Sequence, residues 1–532
     1  MTKYLINRIL RSMVSIFIVV AVVMVMIYSA LDRKLVFAND PVYNKQSSNG
    51  KVVYEMLKWE EYGYVDYVPY SEWLMTLLKA GEIDQATYDA VSKVPNKIAN
   101  LIENNDLDDE AGAFILRFKE YYESQGYQIV PLNADMKGKT KSYKDGGQPR
   151  LFAHIDVPLT TRMVKYFTGL IWVDDINYAE EIQGERGLTF TMNDPAYGGE
   201  KFAPAIMGNG TYHKYLFYVD NVFPFIHQNL VKINLGKSYT INQGIDVFDT
   251  LTQAQGSFVY SSVTYPSGLV AESADNIHTM KYVAGSLEKA APFEKSAFVD
   301  DYNSTNAVKA GLSRMGYSFV IGIIATFMSY FLAIPLGTIM ALQKDKLLDK
   351  IGTFYIVFIT AVPSLAYIFM FKAIGGNLFG LPTTFDMEHP TWKMYVLPII
   401  SLALPSVAGL MKWLRRYMID QMNSDYVKFA RSGGLSEGEI FSKHILKNAI
   451  IPIVHGIPGS ILGALTGAII TERVYVVPGA GNTLTRAINA YDNGVIVGMT
   501  LFYAVLTVVS IILGDILMST MDPRISFTSK ER

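Results

Sequence analysis

Long apolar stretches constrain the fold of this chain more than any other feature. A helix that crosses the hydrocarbon core of a bilayer needs about 20 mostly apolar residues. The sequence contains six such stretches, at residues 9–31, 315–342, 351–376, 393–414, 450–471 and 495–521. This pattern predicts an α-helical polytopic membrane protein with six transmembrane helices.

The first apolar stretch also fits another interpretation. Lys3, Arg8 and Arg11 precede or open a run that ends at Ser29-Ala30, the arrangement of a cleavable secretory signal peptide. The run is longer than the apolar core of about 7–15 residues that such peptides use. We therefore expect an uncleaved transmembrane helix, with cleavage as the alternative.

The charges of the short loops predict the orientation of the helices. Lys and Arg are concentrated in the loops after the second and fourth apolar stretches and in the tail after the sixth, whereas loops 377–392 and 472–494 carry only Arg473 and Arg486. Because loops rich in Lys and Arg stay in the cytoplasm, both termini are predicted to be cytoplasmic. The chain is then predicted to divide, at the plasma membrane, into residues 1–31 (tail and helix 1), 32–310 (extracellular), 311–525 (helices 2–6) and 526–532 (cytoplasmic tail).

The predicted extracellular segment is long enough to fold around its own core. Residues 71–105 and 108–126 have apolar side chains at helical spacing, and the second run stops at a glycine. Residues 187–199, 212–220 and 256–270 are rich in β-branched and aromatic residues between Gly and Pro, which favours strands and turns. An α+β domain between helices 1 and 2 is therefore predicted.

Composition excludes several classes of protein. The chain carries 49 acidic and 47 basic side chains, without the basic excess of a nucleic-acid-binding protein. It has no cysteine, which excludes disulfides and thiolate metal sites, and its seven histidines show no zinc-like pairing. Neither a nucleophile elbow nor a carboxylate pair is evident. We expect this chain to be no enzyme and to bind no metal or cofactor.

Two ligand-binding motifs are incomplete. The sequence LGKS at 235–238 ends like a phosphate-binding loop, but Val231 replaces the required leading glycine. The sequence DLDDEAG at 106–112 resembles a calcium loop, but Gly112 falls one position late for its sharp turn. Solvated acidic residues beside a helix explain the second motif better.

A polar segment at 424–447 separates the fourth and fifth apolar stretches. Ser424 is a candidate N-cap, expected to accept a hydrogen bond through its hydroxyl, and a short helix would end at the pair Gly433-Gly434. Ser436 and Glu439 then have the spacing of a capping box that starts a second helix. Two uses remain open: an amphipathic linker on lipid headgroups, with Tyr426, Val427, Phe429 and Ala430 towards lipid, or a lever for a cytoplasmic partner.

The segment DYVKFARSGGLSEGEIFSKHILKNAIIPIV resembles the coupling segment of ABC-importer permeases, specifically the B-type permease subunit of dipeptide and oligopeptide importers. Of the general Glu-Ala-Ala pattern set on Gly434, only the second Ala remains, as Ala430. The peptide-importer form Asp-Tyr-Val-x-x-Ala-Arg-x-x-Gly-Leu is matched throughout, at Asp425, Tyr426, Val427, Ala430, Arg431, Gly434 and Leu435.

Four further stretches agree with this resemblance in order and spacing. They are the N-terminal span at 4–19, the Leu-Gly-x-Ser element within 234–251, the loop 471–488 and the Asp-Pro-Arg ending within 514–525. The enlarged segment formed by 32–233 and 255–305 is similar to that of oligopeptide permeases from Gram-positive bacteria.

The resemblance implies a transport subunit with the type I ABC importer fold. It would form a peptide translocation path as a heterodimer with a second permease subunit, driven by two cytoplasmic ATPase subunits that bind ATP and Mg, and would receive peptide from an extracellular binding lipoprotein. Helix 424–435 would couple to an ATPase through the matched residues together with Gly433. Structural or gating candidates are Pro363, Pro405, Pro452, Pro458 and Asp515, the last as an anchor.

Two other classes of membrane protein compete with an importer subunit. A secondary transporter or channel with an extracellular receptor domain would normally bury several ionisable groups at mid-membrane, or show a duplicated half. A membrane-anchored receptor or enzyme would need only one or two spans. Neither such ionisable groups nor a duplicated half is evident, and a transporter would leave the capped segment at 424–447 unexplained. The six apolar stretches exceed what an anchored receptor or enzyme needs.

Overall fold

The computed structural model describes residues 2–30, 32–134, 150–173, 187–193, 202–209, 215–218, 231–252, 255, 261–264, 270–273, 280–282, 292, 302–305, 312–387, 389 and 391–521. Its α-helices are α1 (Thr2–Ala30), α2 (Pro41–Asn44), α3 (Ser48–Glu61), α4 (Tyr70–Ala80), α5 (Gln85–Val91), α6 (Ile98–Asn104), α7 (Glu110–Ser124), α8 (Leu159–Thr168), α9 (Val247–Thr252), α10 (Arg314–Leu342), α11 (Leu347–Ala361), α12 (Ser364–Phe379), α13 (Val396–Met422), α14 (Asp425–Ser432), α15 (Glu437–Glu439), α16 (Lys447–His455), α17 (Ile457–Tyr475), α18 (Ala480–Asn489) and α19 (Asn493–Met521). Its strands are β1 (Val65–Pro69), β2 (Gln128–Pro131), β3 (Leu151–Asp156), β4 (Ile171–Val173), β5 (Gly187–Asn193), β6 (Phe202–Asn209), β7 (Tyr215–Tyr218), β8 (Val231–Ile233), β9 (Ser261–Thr264), β10 (Val270–Ser273), β11 (Met280–Tyr282) and β12 (Tyr302–Thr305).

Among the described residues, five helical segments are long and apolar enough to cross a membrane, and a bent pair of helices brings the number to six if it counts as one span. The prediction of one continuous helix over 351–376 is wrong. The helix is interrupted there, and α11 and α12 are bent relative to each other by 111°. Pro363 explains the break, because a proline disfavours helical backbone at the preceding residue, and Val362 has an extended ψ of 130°.

The first helix packs along the last. Val20 and Met24 of α1 are buried in a cluster shared with α19. Arg8 Nε lies 3.1 Å from Asp515 Oδ2, so an ion pair ties the two helices near the start of α1. The packing joins α1 to the last membrane helix and gives Asp515 an ion-pair partner, while the retention of α1 and the anchoring role of Asp515 stay predictions.

The described residues between 33 and 305, here called the head domain, contain both helices and strands. Strands β1, β3 and β2 form an antiparallel sheet in that order. One face of this sheet packs on α3 through Trp59, Tyr67 and Phe152, while α4–α7 cover the other face. The sheet is therefore the middle layer of a small α+β core.

The local predictions for the head domain hold where residues are described. Helices α5–α7 lie within the two predicted helical segments, and α4 begins one residue before the first of them. Strands β5, β7 and β9 lie within the predicted β regions, and β10 begins at the last residue of the third region. Asp109 belongs to a helix start, since its Oδ1 accepts a hydrogen bond from Gly112 N at 2.7 Å. The predicted Asp-Pro-Arg ending at 522–524 and the basic tail lie outside the described residues.

The head domain and α14 lie at opposite ends of the long helices. Helix α10 begins beside α18, where Arg314 Nη1 donates to Thr483 Oγ1 at 3.2 Å. Just before α10, Leu312 O accepts a hydrogen bond from Gln255 N of the head domain at 3.1 Å. Its last turn brings Ala341 into one cluster with Leu414 and with Val427 of α14. With 29 residues, α10 is about 43 Å long, which is enough to span a bilayer.

Candidate functional site

The short helix α14 follows α13 after a two-residue turn. The predicted side-chain cap at Ser424 is wrong: its Oγ instead donates to Gln421 O at 2.6 Å. The last carbonyls of α13 have no partner within that helix, and this hydroxyl satisfies one of them. The Ser424 carbonyl accepts the first hydrogen bonds of α14, from Val427 N at 3.2 Å and Lys428 N at 3.4 Å.

Helix α14 ends in a Schellman motif. Gly434 has φ of +84°, a conformation that glycine adopts without steric cost. Gly434 N donates to Arg431 O at 3.2 Å, and Leu435 N donates to Ala430 O at 3.3 Å. Gly433 has an ordinary φ of −76°. Of the glycine pair, Gly434 is thus the residue that the turn requires.

The predicted capping box is present immediately after this turn. Ser436 Oγ accepts from Glu439 N at 3.3 Å, and Ser436 N donates to Glu439 Oε2 at 3.2 Å. The helix that starts here continues through a π-helical segment, Ile440–Leu446, into α16. It breaks at Gly456, where Pro458 opens α17. The polar segment therefore leads directly into the next membrane helix, as the sequence predicts.

The two faces of α14 differ sharply in their surroundings. Val427 is fully buried and Ala430 nearly so, in a cluster with Leu414 and Met418 of α13. Phe429 on the opposite face is 79% exposed. The linker hypothesis placed Val427 and Ala430 against lipid, and this is wrong because both residues hold α14 onto the helix bundle.

Ion pairs surround the exposed face of α14. Lys428 Nζ lies 2.9 Å from Asp425 Oδ1, and this pair lowers the pKa of the Asp425 carboxyl. Arg431 forms a bidentate pair with Glu437, at 2.6 and 3.0 Å, which bridges the turn to the next helix. Exposed pairs of this kind contribute little stability.

Tyr426 and Leu435 flank the exposed surface of α14 that carries Phe429. The Tyr426 hydroxyl donates to Gln421 Oε1 at 2.5 Å and accepts from Asn448 Nδ2 at 3.0 Å, so it joins α13, α14 and α16. Leu435 is 38% exposed. The structure thus brings all the predicted coupling residues into one short segment, with inward, bridging and outward roles divided among them.

Two residues of this surface were not among the predicted coupling residues. Phe429 is its most exposed apolar side chain, and Glu437 is the partner of Arg431. A helical wheel provides the signal for Phe429: it lies about 200° around the helix from Val427, at 100° per residue. The position of Glu437 beyond the turn has no comparable signal in the sequence.

A buried ion pair connects α11 and α13 at the same end of the bundle. Arg415 Nε and Nη2 each lie 2.6 Å from a carboxylate oxygen of Asp349, which is 3% exposed. Asp349 also accepts from Asp345 N at 2.9 Å. Arg415 adjoins Leu414, which packs against α14, so this pair lies next to the contact that holds α14 on the helix bundle.

The candidate prolines lie at irregular points of the membrane helices. Near Pro405, within α13, the Ala403 and Leu404 carbonyls accept hydroxyl donors from Ser329 at 3.1 Å and Tyr355 at 2.6 Å. Beside Pro452, within α16, the Tyr330 hydroxyl donates to Ile453 O at 3.2 Å. These hydroxyls join the regions around the two prolines to the neighbouring helices α10 and α11.

The arrangement contains no chemistry for bond making or breaking that we can identify. Among the described residues, no group of three or more His, Cys, Asp or Glu side chains could hold a metal ion. What the site offers is a firmly seated helix that presents one aromatic side chain to the exterior.

Comparisons with known proteins agree with this arrangement. Residues 333–527 match the family described as binding-protein-dependent transport system inner membrane component. The chain is 34% identical over 536 residues to the oligopeptide transport system permease protein AmiC of Streptococcus pneumoniae, covering 100% of this chain and 99% of AmiC. It is 32% identical to the dipeptide transport system permease protein DppB of Lactococcus lactis and 30% identical to DppB of Bacillus subtilis, over 42% and 40% of this chain and 73% and 68% of those proteins. The chain therefore belongs to the family of binding-protein-dependent inner membrane transport components, as a permease subunit of the dipeptide and oligopeptide ABC importer type.

Proposed function

We propose that this chain is a transmembrane permease subunit of an ATP-driven oligopeptide importer in the plasma membrane. It would form the translocation path as a heterodimer with a second permease subunit. The similarity to AmiC over the full length of both chains supports oligopeptides as the substrate class. As in ABC importers generally, two cytoplasmic ATPase subunits would supply the energy.

The proposed topology has six membrane spans, with α11 and α12 acting together as one bent span. Residues 32–310 would be extracellular, inserted between the first and second spans, and both termini would be cytoplasmic. The excess of Lys and Arg in alternate loops supports this orientation. The head domain would then face a peptide-binding lipoprotein, while α14 at the other end would face the ATPases.

Coupling to an ATPase would occur through α14. The observation that carries this proposal is the contrast between Val427, which is buried in the helix bundle, and Phe429, which is exposed on the opposite face of α14. An aromatic side chain on a rigid helix is suited to fill a groove on a partner. Movement of the groove would shift α14 and, through its buried face, α13.

The test is Phe429→Ala in the assembled importer. We expect normal membrane levels, because Phe429 contributes little to the core, and a fall of at least about tenfold in peptide uptake and peptide-stimulated ATP hydrolysis. That estimate follows from a loss of about 2 kcal/mol or more for an aromatic interface anchor, at about 1.4 kcal/mol per tenfold.

Trp392→Ala is the matched control. Trp392 is 74% exposed and lies just before α13, at the end of that helix remote from α14. It should leave uptake within about twofold of wild type, as expected for an exposed substitution outside an interface. Normal uptake and hydrolysis in Phe429→Ala would contradict the coupling role and favour a lipid-surface linker.

A further inference from the structure

Asp492 lies in the turn between α18 and α19 and has no exposed surface. Its carboxylate accepts hydrogen bonds from Ser238 Oγ at 2.6 Å and from the backbone amides of Tyr239, Thr240 and Ile241 at 2.8, 2.9 and 3.0 Å. It also accepts from Val495 N, in the first turn of α19, at 3.2 Å. One buried anion thus joins the loop 238–241 to the last membrane helix.

The same loop approaches α19 too closely for ordinary side chains. A Cβ atom on Gly494 would lie 1.9 Å from Lys237 O. Next to it, Asn493 Nδ2 donates to Tyr64 OH, at the start of the head-domain sheet, at 3.0 Å. The first turn of α19 is therefore packed directly on the backbone of the chain that returns from the head domain.

The loop 238–241 is equally firmly attached to the head domain. The rings of Tyr239 and Tyr62 stack with their centroids 3.9 Å apart, and Tyr62 OH donates to Tyr239 O at 3.0 Å. Tyr239 belongs to the buried cluster that contains Trp59 and Phe152. A displacement of this core would move the loop with it.

At its other end, α19 meets the helix that follows the coupling segment. The Gly514 carbonyl lies 2.8 Å from His455 Nδ1, at the end of α16. A line of direct contacts therefore runs from the head-domain core through Asp492 and α19 to α16. Contacts of this kind offer a route for transmission, and a functional test must show that the route is used.

We infer that Asp492 is a positioning residue that fastens the head domain to α19, so that engagement of the head domain by the peptide-loaded binding protein reaches the membrane helices through this carboxylate. Charge-assisted hydrogen bonds from backbone amides are about twice as strong as neutral ones. Without the anion, several buried donors lose their acceptor at once. This inference rests on the proposed importer function.

The test uses the complete importer in nanodiscs, with its partner permease, ATPases and binding protein, and a tryptic digest of casein as the peptide source. Asp492→Asn keeps the size of the side chain but removes its charge and replaces one accepting oxygen by an NH2 group, which cannot accept a hydrogen bond from the surrounding donors. Asp246→Asn is the control, since Asp246 is an exposed acid in the segment that follows the loop. Hydrogen exchange at 239–241 and ATP hydrolysis with and without binding protein are measured in both variants.

We expect exchange of the amides at 239–241 to be at least about tenfold faster in Asp492→Asn. Hydrolysis without binding protein should stay within about twofold of wild type, because α14 is unchanged, whereas the increment caused by loaded binding protein should fall at least about fivefold. Asp246→Asn should match wild type in every measurement.

Three results would overturn the inference: unchanged exchange at 239–241, an increment that survives faster exchange, or a parallel loss of both hydrolysis rates, which would make Asp492 a requirement for folding alone. A wild-type complex without any increment from peptide-loaded binding protein would instead refute the proposed function. The two failures are thus distinguishable.

Discussion

Replacement of Arg415 by Met should destabilise the bundle strongly. The side chain of Met fills much of the space of Arg but leaves the Asp349 carboxylate, 3% exposed, without its two hydrogen bonds of 2.6 Å. Removing one partner of a buried ion pair costs about 3–5 kcal/mol, because the other charge stays buried and unpaired. The remaining bond from Asp345 N, at 2.9 Å, is too weak a compensation.

The assay is thermal unfolding of the purified subunit complex in nanodiscs, followed by tryptophan fluorescence. At roughly 2–4 °C per kcal/mol for a folding unit of 150–250 residues, the expected loss is about 6–20 °C in Tm. The double variant Asp349→Leu with Arg415→Met removes both charges. It should recover to within about 2 kcal/mol of wild type, since apolar replacements of buried ion pairs are often close to neutral.

Lys412→Met is the matched control for Arg415→Met. Lys412 is an exposed basic residue one turn earlier on the same helix, so its loss should shift Tm by no more than about 2 °C. A comparably small shift for Arg415→Met would refute the reasoning, as would a double variant less stable than the single one. Either result would mean that this buried ion pair does not stabilise the packing of α11 on α13, contrary to what its geometry indicates.

Two other predictions concern the head domain and α14. Burial lowers the pKa of the His154 imidazole, with Asp156 opposing the shift and Arg33 adding to it. Because the unfolded chain then binds more protons, the stability of the head domain should be constant above the ordinary histidine pKa of 6.5 and fall as the pH drops below that value. His154→Gln should remove this fall, as measured by hydrogen exchange of β1 and β3 between about pH 5 and pH 8. At Gly434 no described atom would lie within 4 Å of an added Cβ, so the cost of Gly434→Ala comes from the φ of +84° alone. This variant should lose about 1–2 kcal/mol of stability and take up less peptide, with Gly434→Asn intermediate. Equal uptake by the wild type and both variants would show that the left-handed turn is dispensable.

Local features of the sequence were sufficient to predict most of the membrane helices and the second half of the coupling segment. Apolar length identifies a membrane helix because the bilayer imposes it. The capping box at Ser436 and Glu439 was predictable because both of its hydrogen bonds join residues three positions apart. Pro363 was a structural candidate, but the break itself was not predicted, because apolar content does not register a change of direction.

The cap at Ser424 failed for a related reason. Its hydroxyl can serve either the helix that it precedes or the one that it follows, and sequence spacing does not decide between them. In the structure, Gln421 O at the end of α13 takes this hydroxyl at 2.6 Å. Because only two residues separate the end of α13 from the start of α14, the same hydroxyl lies within reach of both helices, and it bonds to the end of α13.

The sequence by itself determined three things: that this chain is a polytopic membrane protein, that basic and non-basic loops alternate, and which segment would couple to an ATPase. These features depend on composition and on residues a few positions apart. Only the tertiary structure decided which face of α14 is buried, that Arg415 meets Asp349, and that Asp492 holds Ser238 across 254 positions of sequence. Such contacts depend on which helices become neighbours. A buried carboxylate is stable only where the fold brings donors to it, and no local pattern records where those donors will come from.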